Sequence, residues 1–303
     1  MRSKRVKTGT PITERGNPSS VALDTKPVTE ILRIINREDH RVAPAVKKAI
    51  PQIARAVDLA VAALERGGRL IYLGAGTSGR LGVLDAAECL PTFGTDRVIG
   101  VLAGAPRAMF KSVEGTEDEP ARAARDLKKI KLTRRDVLVG VVASGRTPYT
   151  LAGLRYAHRL GAATVAVTCN PGAPINALAD VAIVPAVGPE VIAGSTRMKA
   201  GTAQKLVLNM ISTATMARTG RVFSHWMVGA GTSMSKLRTR GIGIVMNVAG
   251  VSRPRAARAL REAGGKLQVA LLMLLLGISR TDAEKRLRSN PNIAALIREA
   301  QHR

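Results

Sequence analysis

The chain has 303 residues, enough for one α/β domain of ordinary size with a smaller appendage. Apolar residues make up 46 % but aromatics only 2 %, so the core is built on alanine and valine, and the aromatic platforms that stack single-stranded nucleic acid are missing. The net charge of +25 fits an anionic partner or a solvated basic surface; the charges are dispersed, which favours the surface, and no nucleic-acid partner is expected.

Residues 1–25 are polar, punctuated by Gly9, Pro11, Gly16 and Pro18, and read as a flexible basic arm without the apolar stretch of a secretory signal. Residues 26–66 carry apolar side chains at helical spacing and predict N-terminal helices packed on the core, two of them, split near Pro44 or Pro51. From 67 to 248 the period changes. Strands are predicted at Arg69–Leu73, Val98–Ala103, Asp136–Ala143, Ala163–Thr168 and Val181–Val187, with helices at Gly79–Cys89, Ala121–Ile130 and Pro148–Leu160 between them. Each strand is nearly continuous apolar, as a parallel sheet covered on both faces requires. A long helix over Thr196–Arg218 follows, closed by Gly220. Residues 249–303 read as a helical bundle of three short helices, Arg253–Glu262, Lys266–Leu276 and Thr281–Leu287. The longest apolar run, Leu267–Ile278, is too short to cross a bilayer, so no membrane partner is expected. Two cysteines make no disulfide framework and fit the cytoplasm.

Three segments carry chemistry. Gly74-Ala75-Gly76-Thr77-Ser78-Gly79-Arg80 leaves a strand and opens a helix, so its glycines admit a ligand to the backbone and its free N–H groups favour an anion. Glycines at 74, 76 and 79 match the dinucleotide pattern, but Val98–Gly104 lacks the acidic residue that a ribose needs, and Thr77-Ser78 suits a phosphomonoester better. The plain alternative is a tight turn with an N-cap serine. Ser144-Gly145-Arg146-Thr147 repeats the theme after another strand, and two such loops line one crevice in an open parallel sheet. The third segment holds Ser195, Thr196, Arg197, Lys199 and Lys205, with Ser195 the expected N-cap; a solvated basic helix face is its plain alternative.

Together with Val113–Asp118, the stretches 73–89, 143–149 and 194–210 resemble the sugar isomerase (SIS) domain and, more closely, the N-acetylmuramic acid 6-phosphate etherase family. The likeness is strong over about residues 25–228 and weaker through the C-terminal helices. It implies an SIS-type parallel five-stranded sheet flanked by helices, with N-terminal helices and a small C-terminal helical bundle like a ubiquitin-associated domain. It implies a lyase that removes D-lactate from N-acetylmuramic acid 6-phosphate, needs no metal or organic cofactor, and works as a homodimer on a small-molecule sugar phosphate. By motif position the family's two proton-transferring glutamates fall on Glu88, read as acid, and Glu117, read as base. Gly76, Thr77, Ser78, Gly79, Arg80, Ser144, Gly145, Arg146, Thr147, Ser195, Thr196 and Lys199 are the expected substrate and phosphate contacts.

The four histidines are scattered and match no metal spacing. The chain also departs from the family, which usually has Asp and Asn where Gly229 and Met234 stand; the glycine-rich stretch Gly229–Ser235 puts the family activity in question. The competing readings are an amino-sugar-phosphate isomerase, which needs only one base, and a non-catalytic sugar-phosphate sensor.

Overall fold

The near-continuous apolar runs become five strands: β1 (Leu70–Gly74), β2 (Val98–Leu102), β3 (Val137–Val141), β4 (Ala163–Val167) and β5 (Val181–Ile183). In this computed structural model, which describes residues 10–230 and 235–301, they form one parallel sheet in the order β2-β1-β3-β4-β5. Gly74 lies opposite Val141 and Val141 opposite Val167, so β1, β3 and β4 end level at their carboxyl edge. Asp136 pins the other edge. Its carboxylate accepts from the Arg69 backbone and guanidinium and from Thr133, contacts that outweigh burial and hold its pKa below the usual range.

Twelve α-helices occur among the described residues. The N-terminal region gives three instead of the expected two: α1 (Val28–Asp39), α2 (Val42–Lys48) and α3 (Ile50–Glu65). Pro44 and Pro51 sit in first turns, where a missing N–H costs no helical bond, so each proline starts a helix. α4 (Gly76–Phe93), α5 (Pro120–Lys129) and α6 (Pro148–Arg159) follow β1, β2 and β3. Alternation along β1 sends neighbouring side chains to opposite faces. Gly82 lets α4 lie against Tyr72, whereas Gly153 lets α6 lie against Leu73, so the sheet carries a helix layer on each face. Ile71, Leu73, Leu138 and Ala166 join α5 and α6 in one buried cluster.

By their contacts, residues 10–85 and 99–211 make one compact unit, and 86–98 with 212–230 and 235–301 make another. The chain leaves the first unit inside α4 and again inside α7 (Lys199–Arg218). In the second unit, α8 (Ser235–Ala249), α9 (Arg253–Glu262), α10 (Leu267–Leu276), α11 (Arg280–Ser289) and α12 (Ile293–Gln301) surround an aliphatic core of Val245, Leu260, Leu271, Leu272 and Ile297. The boundary expected at 248/249 falls on the last residue of α8, a helix that packs on α9. Four helices, not three, follow it. α10 is the expected buried apolar helix, ended by Gly277 at φ 63°. No helix among the described residues is long and apolar enough to cross a membrane.

The expected flexible arm is corrected from residue 10 onward; residues 1–9 lie outside the described residues. Thr13 is 0 % and Asn17 6 % exposed, and three 3₁₀ turns run from Ile12 to Thr25. The segment is polar because its buried side chains make hydrogen bonds, Thr13 to the Asn170 side chain and Asn17 to the Pro189 carbonyl, instead of filling an apolar core.

Candidate active site

The Gly74–Arg80 segment folds as its glycines dictate. Gly79 sits so near the end of β1 that a methyl there would lie 2.5 Å from the Gly74 carbonyl oxygen, and Gly76 adopts φ +52°. α4 therefore starts at Gly76, directly on the sheet's carboxyl edge. Thr77 is half-buried. Ser78 is buried and donates to Gln204 Oε1 at 3.0 Å, so its hydroxyl faces α7. Arg80 Nε donates to the Ala108 carbonyl at 2.8 Å, which ties α4 to the loop after β2.

The second loop leaves β3, the strand paired with β1. Gly145 takes φ +70° against Thr168 and Ala173, and the Arg146 N–H donates to Ser144 Oγ at 3.3 Å, a compact turn with Ser144 half-buried and the Arg146 side chain exposed. Thr147 holds the N-cap position of α6 without bonding its hydroxyl to that helix's amides, and Pro148 follows at the first turn. The first two expected loops thus stand side by side.

The third segment departs from expectation in two respects. Ser195 is not the N-cap, because α7 begins at Lys199; the Glu190 carboxylate takes the cap's part, accepting from Lys199 N at 3.1 Å and Ala200 N at 2.9 Å. Burial raises the Glu190 pKa, and these two hydrogen bonds oppose the rise. Lys199, expected to meet substrate, is 0 % exposed, and its ammonium pairs with Glu38 of α1. The correction has a simple cause: a buried ammonium must have a carboxylate, and Glu38 supplies it. Burial pushes the Glu38 pKa up, but hydrogen bonds from Lys199 and Asn17, with the charges of Lys199 and Arg41, leave it below the ordinary value. Ser195 and Thr196 remain half-buried on the loop, and Gly201 brings α7 to within 3.6 Å of Thr77 Cγ2, measured from the position a Cβ would take.

Glu117 lies in the 3₁₀ turn Thr116–Asp118, exposed, after Gly115 at φ +75°. Thr116 and Ala108 both pack at Gly104 beyond the carboxyl end of β2, and the turn packs on α6, so Glu117 sits on the same edge as the two hydroxyl-bearing loops. Glu88 is exposed on α4, in register with Arg80 and Leu84 at four-residue intervals, and belongs by contacts to the second unit. Burial, then the Glu190 charge, push the Cys169 thiol up to about 12, which excludes it as a nucleophile at neutral pH. Among the described residues no group of three His, Cys, Asp or Glu gathers as a metal site.

The sequence reading missed Asn170, Glu190, Glu38 and Gln204. All four are buried polar residues, and the only signal they give is a polar side chain amid apolar surroundings.

Gly229 also acquires a reason. A methyl on it would overlap the Phe93 carbonyl, a methyl on Gly94 would overlap the Gly229 carbonyl, and Arg221 Nη1 donates to the Gly94 carbonyl at 3.2 Å. The glycine is what lets this strand of chain close on the end of α4. The remainder of the atypical stretch, residues 231–234 with Met234, lies outside the described residues.

Residues 52–158 match the family described as the glucokinase regulatory protein N-terminal SIS domain, and residues 116–214 match the SIS domain. The chain is 52 % identical over 275 residues to an N-acetylmuramic acid 6-phosphate etherase of Edwardsiella ictaluri, covering 90 % of this chain and 92 % of that one. To the etherase of Cronobacter sakazakii it is 51 % identical over 281 residues, covering 92 % and 95 %. Among solved structures, phosphoheptose isomerase from Neisseria gonorrhoeae shares the fold at 18 % identity with a TM-score of 0.51, covering 63 % of this chain and 100 % of that one.

Proposed function

The chain belongs to the N-acetylmuramic acid 6-phosphate etherase family, and on that premise we propose that it cleaves the D-lactyl ether of N-acetylmuramic acid 6-phosphate, giving N-acetylglucosamine 6-phosphate and D-lactate. In the opened sugar the C2–H is acidic because C1 is an aldehyde. Glu117 removes that proton, the C3–O bond breaks, and Glu88 protonates the departing lactyl oxygen. Water then adds at C3 of the unsaturated aldehyde and a proton returns to C2, so the atoms balance without a metal or organic cofactor. The observation that carries the reading is the arrangement at the carboxyl edge: the Thr77 and Ser144–Thr147 loops stand beside each other, with Glu117 on the adjoining turn. Ser195 and Thr196 extend the same cradle toward the sugar hydroxyls. We take the chain to act as a cytoplasmic homodimer with no nucleic-acid partner; the dispersed charge and the two buried cysteines, neither of them in a disulfide, are consistent with this.

The test is D-lactate release by the wild type, Glu88→Ala and Glu117→Ala, with the reaction run in deuterium oxide. The wild type releases D-lactate and carries deuterium at C2 of the product, and each variant slows by about 10²–10⁴-fold. Wild-type protein that binds the sugar phosphate yet releases no D-lactate, or that interconverts aldose and ketose phosphates instead, refutes the reading.

A further inference from the structure

The N-terminal segment is built into the cradle. Thr13 N–H donates to Asn170 Oδ1 at 3.3 Å, and Asn170 Nδ2 donates back to the Thr13 hydroxyl at 3.1 Å. The same Nδ2 donates to the Ala143 carbonyl at 2.9 Å, one residue before Ser144. On its other side Thr13 offers its carbonyl to Gly194 N–H at 3.1 Å, one residue before Ser195. One threonine thus links the two loops that carry Ser144 and Ser195. Asn17, four residues on, donates to the Pro189 carbonyl at 3.1 Å and to Glu38 Oε2 at 2.9 Å, and Glu38 holds Lys199. The loop from 189 to 199 is therefore held at its start, middle and end by this segment and its partners.

A strap that served only to cover a core would bury apolar side chains. Here the most buried positions are Thr13 and Asn17, and their hydrogen bonds run to the loop backbone at Gly194 and Pro189 and to the buried side chains of Asn170 and Glu38. Satisfied buried polar groups specify geometry, because any displacement leaves a donor or acceptor unmatched.

We propose that the Thr13 hydroxyl is a positioning group for sugar-phosphate binding: it orients Asn170, whose Nδ2 holds the Ser144 loop, while the Thr13 backbone holds Gly194 before Ser195, so that the hydroxyl sets the spacing between the two loops. The proposal rests on reading those loops as the substrate cradle.

The experiment compares full-length wild type with Thr13→Val, which keeps the shape and loses the hydroxyl, and Thr13→Ser, which keeps the hydroxyl. Three quantities are read: steady-state D-lactate release, calorimetric binding of N-acetylglucosamine 6-phosphate, and the thermal midpoint. Thr13→Val raises both KM and the product Kd about tenfold, the worth of one buried hydrogen bond, with kcat little changed, and Thr13→Ser restores both. A Thr13→Val chain that does not fold is replaced by Thr13→Ala, held to the same outcomes. Unchanged KM and Kd overturn the proposal, as does a loss of kcat that merely follows the folded fraction, or a serine variant no better than valine. If the wild type binds the sugar phosphate but yields no D-lactate, the etherase reading fails while the Kd comparison still decides the role of Thr13. A wild type that binds no sugar phosphate overturns the proposal along with the cradle.

Discussion

Replacing Glu38 by Gln removes the carboxylate that neutralises a fully buried ammonium. The Lys199 side chain is 0 % exposed and that of Glu38 2 %, so water cannot take over the lost partner. Breaking a buried pair from one side costs about 3–5 kcal/mol, a large part of the roughly 5–15 kcal/mol that holds a domain folded. At about 2–4 °C per kcal/mol for a unit of this size, the thermal midpoint falls by roughly 6–20 °C. Glu190 lies close enough to Lys199 to soften the loss, and Arg41, 59 % exposed, adds little. The half-buried surface Lys26–Glu30 pair, at 2.7 Å, is the control: Lys26→Ala shifts stability by less than about 1 kcal/mol. The double variant Glu38→Gln/Lys199→Met removes both charges and recovers most of the loss. Urea titration and thermal melts of the four proteins decide it. A Glu38→Gln loss no larger than the Lys26 control, or a double variant as unstable as the single, refutes the argument.

The same pair predicts an acid response. The folded Glu38 carboxyl binds its proton more weakly than the unfolded one, so its contribution is complete above the unfolded glutamate range, near about 4.3, and is lost as pH falls through the lower folded value. Glu190 has the opposite sign: its raised folded pKa makes its contribution largest below that range and lost as pH rises through the folded value. Stability of Glu38→Gln therefore falls less steeply than wild type below about pH 4, read by urea midpoints along a pH series; an unchanged acid slope counts against the pair. Gly145→Ala forces a side chain into φ +70° and against Ala173, and KM for the sugar phosphate rises at least about tenfold with a loss of about 1–3 kcal/mol in a urea melt. Gly229→Ala overlaps the Phe93 carbonyl and lowers the thermal midpoint, whereas Gly243→Ala inside α8 meets nothing within 4 Å and stabilises by about 0.5–1 kcal/mol.

What was legible in the sequence was what repeats locally. A strand buried on both faces has to be nearly continuous apolar, so β1 to β5 announced themselves, and the spacing of Gly74, Gly76 and Gly79 follows from how closely α4 approaches β1. What stayed hidden was polar and distant. Lys199 finds its carboxylate 161 residues away and Thr13 its amide 157 residues away, so a lysine after Ser195 looked ligand-facing and a polar N-terminal stretch looked loose. Ser195 looked like a cap because serine usually is one; a glutamate arriving from the preceding loop had no local signature.

That hidden network bears on where a phosphate would sit. Three helices begin at or near the sheet's carboxyl edge, each with a positive end that attracts an anion. At α7 the Lys199 and Ala200 amides already donate to the Glu190 carboxyl oxygens, which occupies that end. At α4 the Ser78 hydroxyl is turned to Gln204, leaving Thr77 as the side chain of that pair nearer the edge. α6 begins beside it, behind Ser144 and Thr147, because β3 pairs directly with β1. On the proposed reading, the phosphate of the substrate is expected between the starts of α4 and α6. On the same reading, the Ser195–Thr196 loop, held by Thr13 and Asn17 and lacking an open helix end, is left for neutral sugar groups. The division explains why a strap is needed on the third loop and not on the first two: α4 and α6 rise straight from their strands, while the long loop between β5 and α7 has no such anchor of its own.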